Sequence, residues 1–222
     1  MTKTDGAPRH LVVLGHPDVR SFNAALAQRY CDTARKCGQK ADLRDLYAIG
    51  FDPLLKQQER PSEAQFHPAP DVAAELALLR AADVLTLVYP IWFGMPPAII
   101  KGYVDRVLGA GFGGTKIRRR AKHPILYGKR LMILSSSAST RPWLEEQGQW
   151  LSLRQAFDSY LATVFSLASH DHIHFDSIVD HASPDYIAEC LEEAGNRAYA
   201  FCAQLEHERN RRRIALLGAG SR

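Results

Sequence analysis

The sequence predicts an α/β fold: a doubly wound sheet of five parallel strands in the order 2-1-3-4-5, with helices on both faces. Three observations carry this. Short apolar, β-branched runs alternate with helix-periodic segments along the chain. The clearest run, Val84 to Tyr89, is apolar almost throughout, as a strand buried on both faces should be. Several runs end in loops marked by Gly, Pro or Ser.

Taken in order, His10 to Leu14 is a short apolar run ending at Gly15, and reads as strand one. Ser21 to Cys37 reads as a helix, with Ser21 as N-cap and Phe22, Ala25, Leu26 and Tyr30 at helical spacing. Gly38 closes it. Lys40 to Leu46 alternates loosely as strand two. The stretch from Gly50 to Pro70 carries Pro53, Pro61, Pro68 and Pro70, and reads as an irregular surface excursion. Asp71 to Ala82 is a helix with Val72, Leu76 and Leu79 on one face. Val84 to Tyr89 is strand three, and Pro97 to Leu108 a helix with Pro in its first turn. Gly109 to Gly128 reads as a long loop, first Gly-rich and then basic. Leu131 to Leu134 is strand four, running into Ser135 to Thr140. Residues 141–149 read as a polar connection, Trp150 to Ala168 as a helix, and His170 to Phe175 as strand five on the sheet edge. Ser183 caps a last helix, with Pro184 in its first turn, to about Glu208.

A chain of 222 residues is long enough for one domain with a full α/β core, and residues 1–222 are read that way: a core of about 9–208 and a basic tail of 209–222. No run is long and apolar enough for a membrane helix, and residues 1–8 carry no apolar leader, so a cytoplasmic protein is expected. Cys31, Cys37, Cys190 and Cys202 form no CxxC pair and fall in predicted helices, so they read as thiols rather than a disulfide frame. The net charge is +4, and much of the excess sits in Lys116–Lys122 and in the tail, at Arg209 and Arg211 to Arg213. Such clusters suit nucleic acid, an acidic surface or a cofactor phosphate. For the tail, a solvated helix end is the simpler reading.

The chemistry is expected where three loops meet. In an open α/β sheet, ligands sit beyond the carboxyl ends of the strands, at the switch point between strands one and three. Gly15 to Asn23 lacks both GxGxxG and GxxxxGK[ST], which argues against a dinucleotide fingerprint and a P-loop. It does end at a helix N-terminus, which attracts phosphate, and His16, Arg20, Ser21 and Asn23 add side-chain partners. A plain helix cap is the alternative there. The second loop, Pro90 to Pro96, holds Trp92 and Phe93, two large aromatics placed to cover something flat, and an isoalloxazine ring fits. The alternative is a loop packed on its own domain. The third loop, Ser136 to Ser139, offers small side chains and donors to a ring edge.

Other constellations carry less. His170, His172 and His174 alternate on strand five and share one face. Same-face neighbours on a strand lie about 7 Å apart, and no Cys or HExxH partner accompanies them, so no metal site is expected and they read as surface residues of a short edge strand. No GxSxG elbow occurs and no spacing marks a Ser/His/Asp triad, so hydrolase chemistry has little support.

Together the loops resemble the NAD(P)H:quinone oxidoreductase family, the quinone-reductase branch of the flavodoxin-like fold. The resemblance rests on Gly15-His16-Pro17 with Ser21-Phe22-Asn23, and on Asp45-Leu46-Tyr47 with Phe51-Asp52-Pro53. It rests further on Pro90-Ile91-Trp92-Phe93-Gly94 with Pro97-Ala98-Ile99-Ile100-Lys101-Gly102 and Asp105-Arg106-Val107. It implies a flavin, FAD by the form of the first loop with FMN as the other option, in a homodimer whose subunits close each other's sites. It implies hydride transfer from NAD(P)H through flavin N5 to a quinone or similar acceptor, with no nucleic acid and no membrane span. His16, Ser21, Phe22 and Asn23 would hold phosphate and ribityl groups. Pro90, Ile91, Trp92, Phe93 and Gly94 would line the ring, and Ser136, Ser137, Ala138 and Ser139 would meet its pyrimidine edge. The family often carries Thr-Thr-Gly-Gly at the third loop, and a Tyr and a His further on. Here Ser136 to Ser139 stand in the first place and, by a loose alignment through Gln147-Gly148, Leu144 and Trp150 in the second, which leaves no family proton relay: either the acceptor range differs or another residue, such as Tyr127, helps, and no single acid–base residue is assigned. The basic 116–122 loop would contact phosphates of FAD or NADPH. The other class of function open to the sequence is a flavin-binding regulatory subunit controlling a partner such as a transport system.

Overall fold

The computed structural model describes residues 6–60 and 66–219. Pro61, the first five residues and the last three of the tail lie outside them. The elements are β1 (Arg9–Leu14), α1 (Phe22–Lys36), β2 (Lys40–Asp45), α2 (Pro70–Ala81), β3 (Val84–Pro90) and α3 (Ala98–Tyr103), which continues as a π turn over Val104–Leu108. Then come α4 (Gly114–Arg118), β4 (Arg130–Ser136), α5 (Arg141–Glu146), α6 (Gln149–Leu153), a π turn over Arg154–Ser159, α7 (Tyr160–Val164), β5 (Ser169–Phe175) and α8 (Pro184–Ala219).

All four strand pairings are parallel, and the sheet runs β2-β1-β3-β4-β5. Every residue of β3, the central strand, is buried. Strand alternation divides the core. Leu11, Val13, Leu85, Leu87, Leu131 and Ile133 face α2, α3 and the 153–165 helices. Val12, Leu14, Val88, Met132 and Leu134 face α1 and α8. Each such Leu, Val or Ile contributes about 1.5–3 kcal/mol of transfer free energy.

Two glycines of the sequence motifs are explained by close approach. A Cβ at Gly15 would stand 2.4 Å from Ile100 Cγ1, so β1 ends directly against α3. A Cβ at Gly102 would stand 2.5 Å from Pro53 Cα, so α3 lies against the chain after β2. Arg106 secures that packing. Its Nε donates to Glu59 at 2.8 Å, its Nη1 to the Asp52 carbonyl at 2.5 Å and to Asp71 at 2.7 Å, and its Nη2 to Glu59 at 2.8 Å and Asp71 at 3.0 Å.

Several expectations are corrected. Strand four runs two residues past Leu134, because Ser135 and Ser136 continue the register against His174 and Phe175. Residues 141–149 are largely helical: Thr140 accepts the Trp143 N–H as N-cap, and Pro142 sits in the first turn. The helix expected over 150–168 starts at Gln149, passes through the π turn and stops at Val164, where Ser166 takes a left-handed φ of 55°. The long loop of 109–128 contains α4. The last helix does not fray at Glu208 but continues to Ala219, so the basic tail is helical through that residue.

Candidate functional site

The three loops do meet. The Ile91 N–H donates to the Ser136 carbonyl at 2.7 Å, and the Ser136 hydroxyl donates to Asn23 Oδ1 at 2.9 Å. The His16 ring lies 5.7 Å from the Trp92 ring. One crevice edge is therefore built from the ends of β1, β3 and β4 and the start of α1.

The first loop is pinned locally. Asp18 Oδ1 accepts the Arg20 N–H at 2.8 Å, which is the main reason its carboxyl is held below the usual range. The Ser21 hydroxyl accepts the Ala24 N–H and caps α1. The other first-turn N–H groups of a helix have no acceptor within it, and with the dipole they favour an anion. The Phe22 ring packs edge-on against Phe175, 5.6 Å away. Asn23 is buried, and its amide Nδ2 has no partner among the described residues. A buried, unmatched donor costs about 1–3 kcal/mol, so it asks for an acceptor from outside the chain. Beside this loop, between α1 and the end of β2, lies a cavity of about 330 Å³ bordered by Val19, Arg20, Ser21, Gln28 and Asp45.

The second loop is a tight reversal. Trp92 and Met95 exchange two backbone hydrogen bonds, at 3.0 and 3.1 Å. Phe93 and Gly94 stand between them at φ 50° and 77°, the signs a type I′ turn needs. Left-handed geometry costs a non-glycine residue about 1–2 kcal/mol. Phe93 bears that cost while fully exposed, and Trp92 and Met95 are exposed beside it. An apolar tip that is both strained and solvated stabilises nothing within its own chain, which points to a ligand or another subunit.

The third loop is largely buried. Ser135, Ser136 and Ser137 are buried, with Ser136 inside β4, and only Ala138 to Thr140 reach the surface. Ser136 is committed to Asn23, while Ser137 donates to the Ser139 carbonyl at 2.7 Å.

Behind that loop the histidines are corrected. His172 and His174 do share a face, but they are not surface residues. Both contact Ser135 Oγ, His172 Nε2 at 2.6 Å and His174 Nδ1 at 2.8 Å. His174 Nε2 lies 3.0 Å from Ser137 Oγ, and His172 Nδ1 lies 2.7 Å from Asp158 Oδ2. Trp150 closes the cluster, its ring about 5 Å from each imidazole (4.9 and 5.0 Å). Burial pushes His174 down to about 4. Ser135, His172 and Asp158 thus have the contacts of a nucleophilic triad. Ser135 nevertheless sits buried within a strand rather than on an exposed elbow, so a substrate carbonyl has no approach. The spacing of these residues carried no motif. The available signal was a polar Ser ending an apolar strand beside a strand of alternating His, in a sheet order that makes them neighbours.

Leu144 and Trp150, the residues aligned from the sequence with the family Tyr and His, are buried. Tyr127 is no substitute. It stands with Asp83 and Arg130 around a cavity of about 280 Å³ at the amino ends of β3 and β4, the opposite end of the sheet from the crevice. Arg118, Arg119 and Arg120 are exposed, and α4 above them is tied to Gly111 and Gly113 rather than to the three loops. Among the described residues no cluster of His, Cys, Asp or Glu has the arrangement of a metal site, and all four cysteines are free. No helix of the described residues is long and apolar enough to cross a membrane.

Residues 8–199 match the family described as having a flavodoxin-like fold. An uncharacterized NAD(P)H oxidoreductase of Haemophilus influenzae is 40% identical over 104 residues, covering 46% of this chain and 52% of that protein. NAD(P)H dehydrogenase (quinone) 1 of Rattus norvegicus is 34% identical over 149 residues, covering 59% and 54%. The chain thus spans about half the length of these relatives. Among solved structures, an NAD(P)H:quinone oxidoreductase from Methanothermobacter marburgensis superposes with a TM-score of 0.77 at 22% identity, over 87% of this chain and 98% of that one. An FMN-dependent NADH-azoreductase from Bacillus anthracis, solved with FMN, superposes at 0.61 and 12% identity, over 89% and 99%. At these identities the superpositions show a shared fold.

Proposed function

The chain belongs to the flavodoxin-like fold family, and on that footing we propose that it is a flavin-dependent NAD(P)H oxidoreductase acting on a quinone or similar acceptor. The observation that carries the reading is the pairing, at one crevice, of a strained and exposed aromatic tip with a buried amide donor that lacks an acceptor. A flavin answers both needs, a flat ring for Trp92 and Phe93 and polar oxygens for Asn23. When bound, it supplies hydride acceptance and donation at N5.

The chain's own groups then have separate tasks. The N-terminus of α1, with His16, Ser21 and Asn23, holds phosphate and ribityl oxygens. Pro90 to Gly94 lines the ring and shields it from water on one side. Ala138 and Ser139, with the backbone of Ser136 and Ser137, meet the ring's polar edge. FAD is the proposed form, supported by the cavity beside the first loop, which is available to a second nucleotide half. A homodimer is proposed, with the exposed Phe93 tip and Leu54, Leu55 and Ile49 as apolar surface for closure. The location proposed is the cytoplasm. The names of the relatives support NAD(P)H as donor and a quinone as acceptor.

The test is the visible spectrum of the purified protein after incubation with FAD or FMN and desalting, then anaerobic NADPH. Retained colour that bleaches, with continued NADPH oxidation on adding a quinone, is the expected result. Colourless protein would end the flavin reading.

A further inference from the structure

The buried cluster behind the third loop is a chain of five hydrogen-bond contacts: Asp158–His172, His172–Ser135, Ser135–His174, His174–Ser137 and Ser137–Ser139 carbonyl. Each contact needs one proton between its heavy atoms. Both ends are acceptors, the carbonyl at Ser139 and, in its carboxylate form, Asp158. Two neutral imidazoles and two hydroxyls supply only four protons for these five contacts. With both rings neutral, one contact is left without a proton, whichever tautomers are chosen. A single added proton, making one imidazolium, completes every contact and cancels the charge of Asp158.

Asp158 Oδ1 and the Tyr89 hydroxyl from β3 are both buried without a partner among the described residues. The nearest cation to Asp158 is Arg154, at 3.6 Å. At the other end Arg141 and Asp176 flank His174, with opposing effects, and burial disfavours a charge on that ring.

We infer that the Asp158–His172–Ser135–His174–Ser137 chain is a one-proton store for the crevice, filled when two electrons arrive there and emptied when an acceptor removes them. This rests on the oxidoreductase reading. The balance is that NAD(P)H gives up a hydride, two electrons and one proton, whereas a quinone leaves as hydroquinone with two electrons and two protons. The second proton comes from water by way of the store, so NAD(P)H, quinone and one proton become NAD(P)⁺ and hydroquinone. Ser137, whose backbone belongs to the loop at the ring edge, joins the store to the crevice.

Two measurements test it. The flavin-loaded protein is reduced anaerobically with one equivalent of NADPH in weak buffer near pH 7 with an indicator dye. The wild-type protein takes up one proton per flavin more than His172→Gln does, and Asp158→Asn, nearly isosteric, serves if that variant fails to fold. Equal uptake overturns the store. In the flavin-free protein, histidine ring signals followed by NMR show His172 and His174 sharing a single one-proton step, which splits into two steps in Ser135→Ala. Two independent steps in the wild-type protein overturn the store. Because the second measurement needs no flavin, a protein that binds none loses the oxidoreductase reading while the store is still decided.

Discussion

Two buried polar clusters sit on the same face of this sheet, and they differ by one proton. Around Arg106, five N–H donors meet five acceptors from Glu59, Asp71 and the Asp52 carbonyl. Around His172, five contacts share four protons while both rings are neutral and Asp158 is a carboxylate. The first is closed: each donor has an acceptor, and any change leaves something unmatched. The second is open: it can gain a proton without moving a heavy atom. A saturated cluster fixes structure, whereas an unsaturated one can respond to charge nearby. The Arg106 cluster joins the 50–60 excursion, α2 and α3, while the His172 cluster ends in the crevice loop.

The largest effect is expected at the closed cluster. Arg106→Met leaves the buried Glu59 carboxylate and Asp71 without their counter-charge, and breaking a buried pair from one side costs about 3–5 kcal/mol. A fall of that size in the urea unfolding free energy is expected. A loss under about 1 kcal/mol would mean that the excursion after β2 is held by something else. Acid sharpens the same point. Hydrogen bonds from Arg106 hold the Glu59 and Asp71 carboxyls below their usual range. Their contribution is thus complete above the unfolded values, roughly 4, and is lost as pH falls through the folded ones. Wild-type stability should drop over that acid window, and the Arg106→Met protein should show a flatter profile there in urea unfolding at stepped pH.

A smaller loss is expected at the open cluster. Ser135→Ala removes the hydroxyl that both imidazoles touch, leaving two buried ring nitrogens short of a partner. The cost should be about 1–3 kcal/mol, measured by the same unfolding. A change near zero would mean that the cluster relaxes around the gap or takes in water, and that the contacts do not act as one unit.

The same contrast explains what could be read in the sequence. Apolar runs and helical spacing placed all five strands, because those patterns report burial directly, and their alternation with helices carried the parallel doubly wound sheet that the structure shows. The meeting of the three candidate loops was legible too, since Gly15, Ser21 and the Trp92–Phe93 pair lie at strand ends and a helix start, where topology dictates position. Neither polar cluster was legible. Arg106 lies 35 residues from Asp71, and Ser135 lies 37 from His172, and no local pattern reports which side chains a fold brings together. Alternating histidines read as a solvated edge strand because alternation alone does not say that Trp150 and the π turn cover that face. Helix ends failed for a related reason. At Glu208 the sequence shows a run of charges, whereas α8 continues to Ala219.

The smallest effect tests the crevice tip, and its sign is opposite to the others. Phe93 holds a left-handed φ of 50° at the first central position of a type I′ turn, where Asn is favoured, and its ring touches little of its own chain. Phe93→Asn removes about 1 kcal/mol of backbone strain and loses almost no packing, so the flavin-free protein should gain stability by roughly that amount in chemical unfolding. Flavin retention should fall at the same time, since the ring would lose one of its two aromatic covers. A variant that is destabilised instead would place Phe93 in a contact within the free protein. A variant that is stabilised yet binds flavin as well as before would assign the strained tip to the subunit interface rather than to the ring, and the change in dimer affinity would then be measured by light scattering.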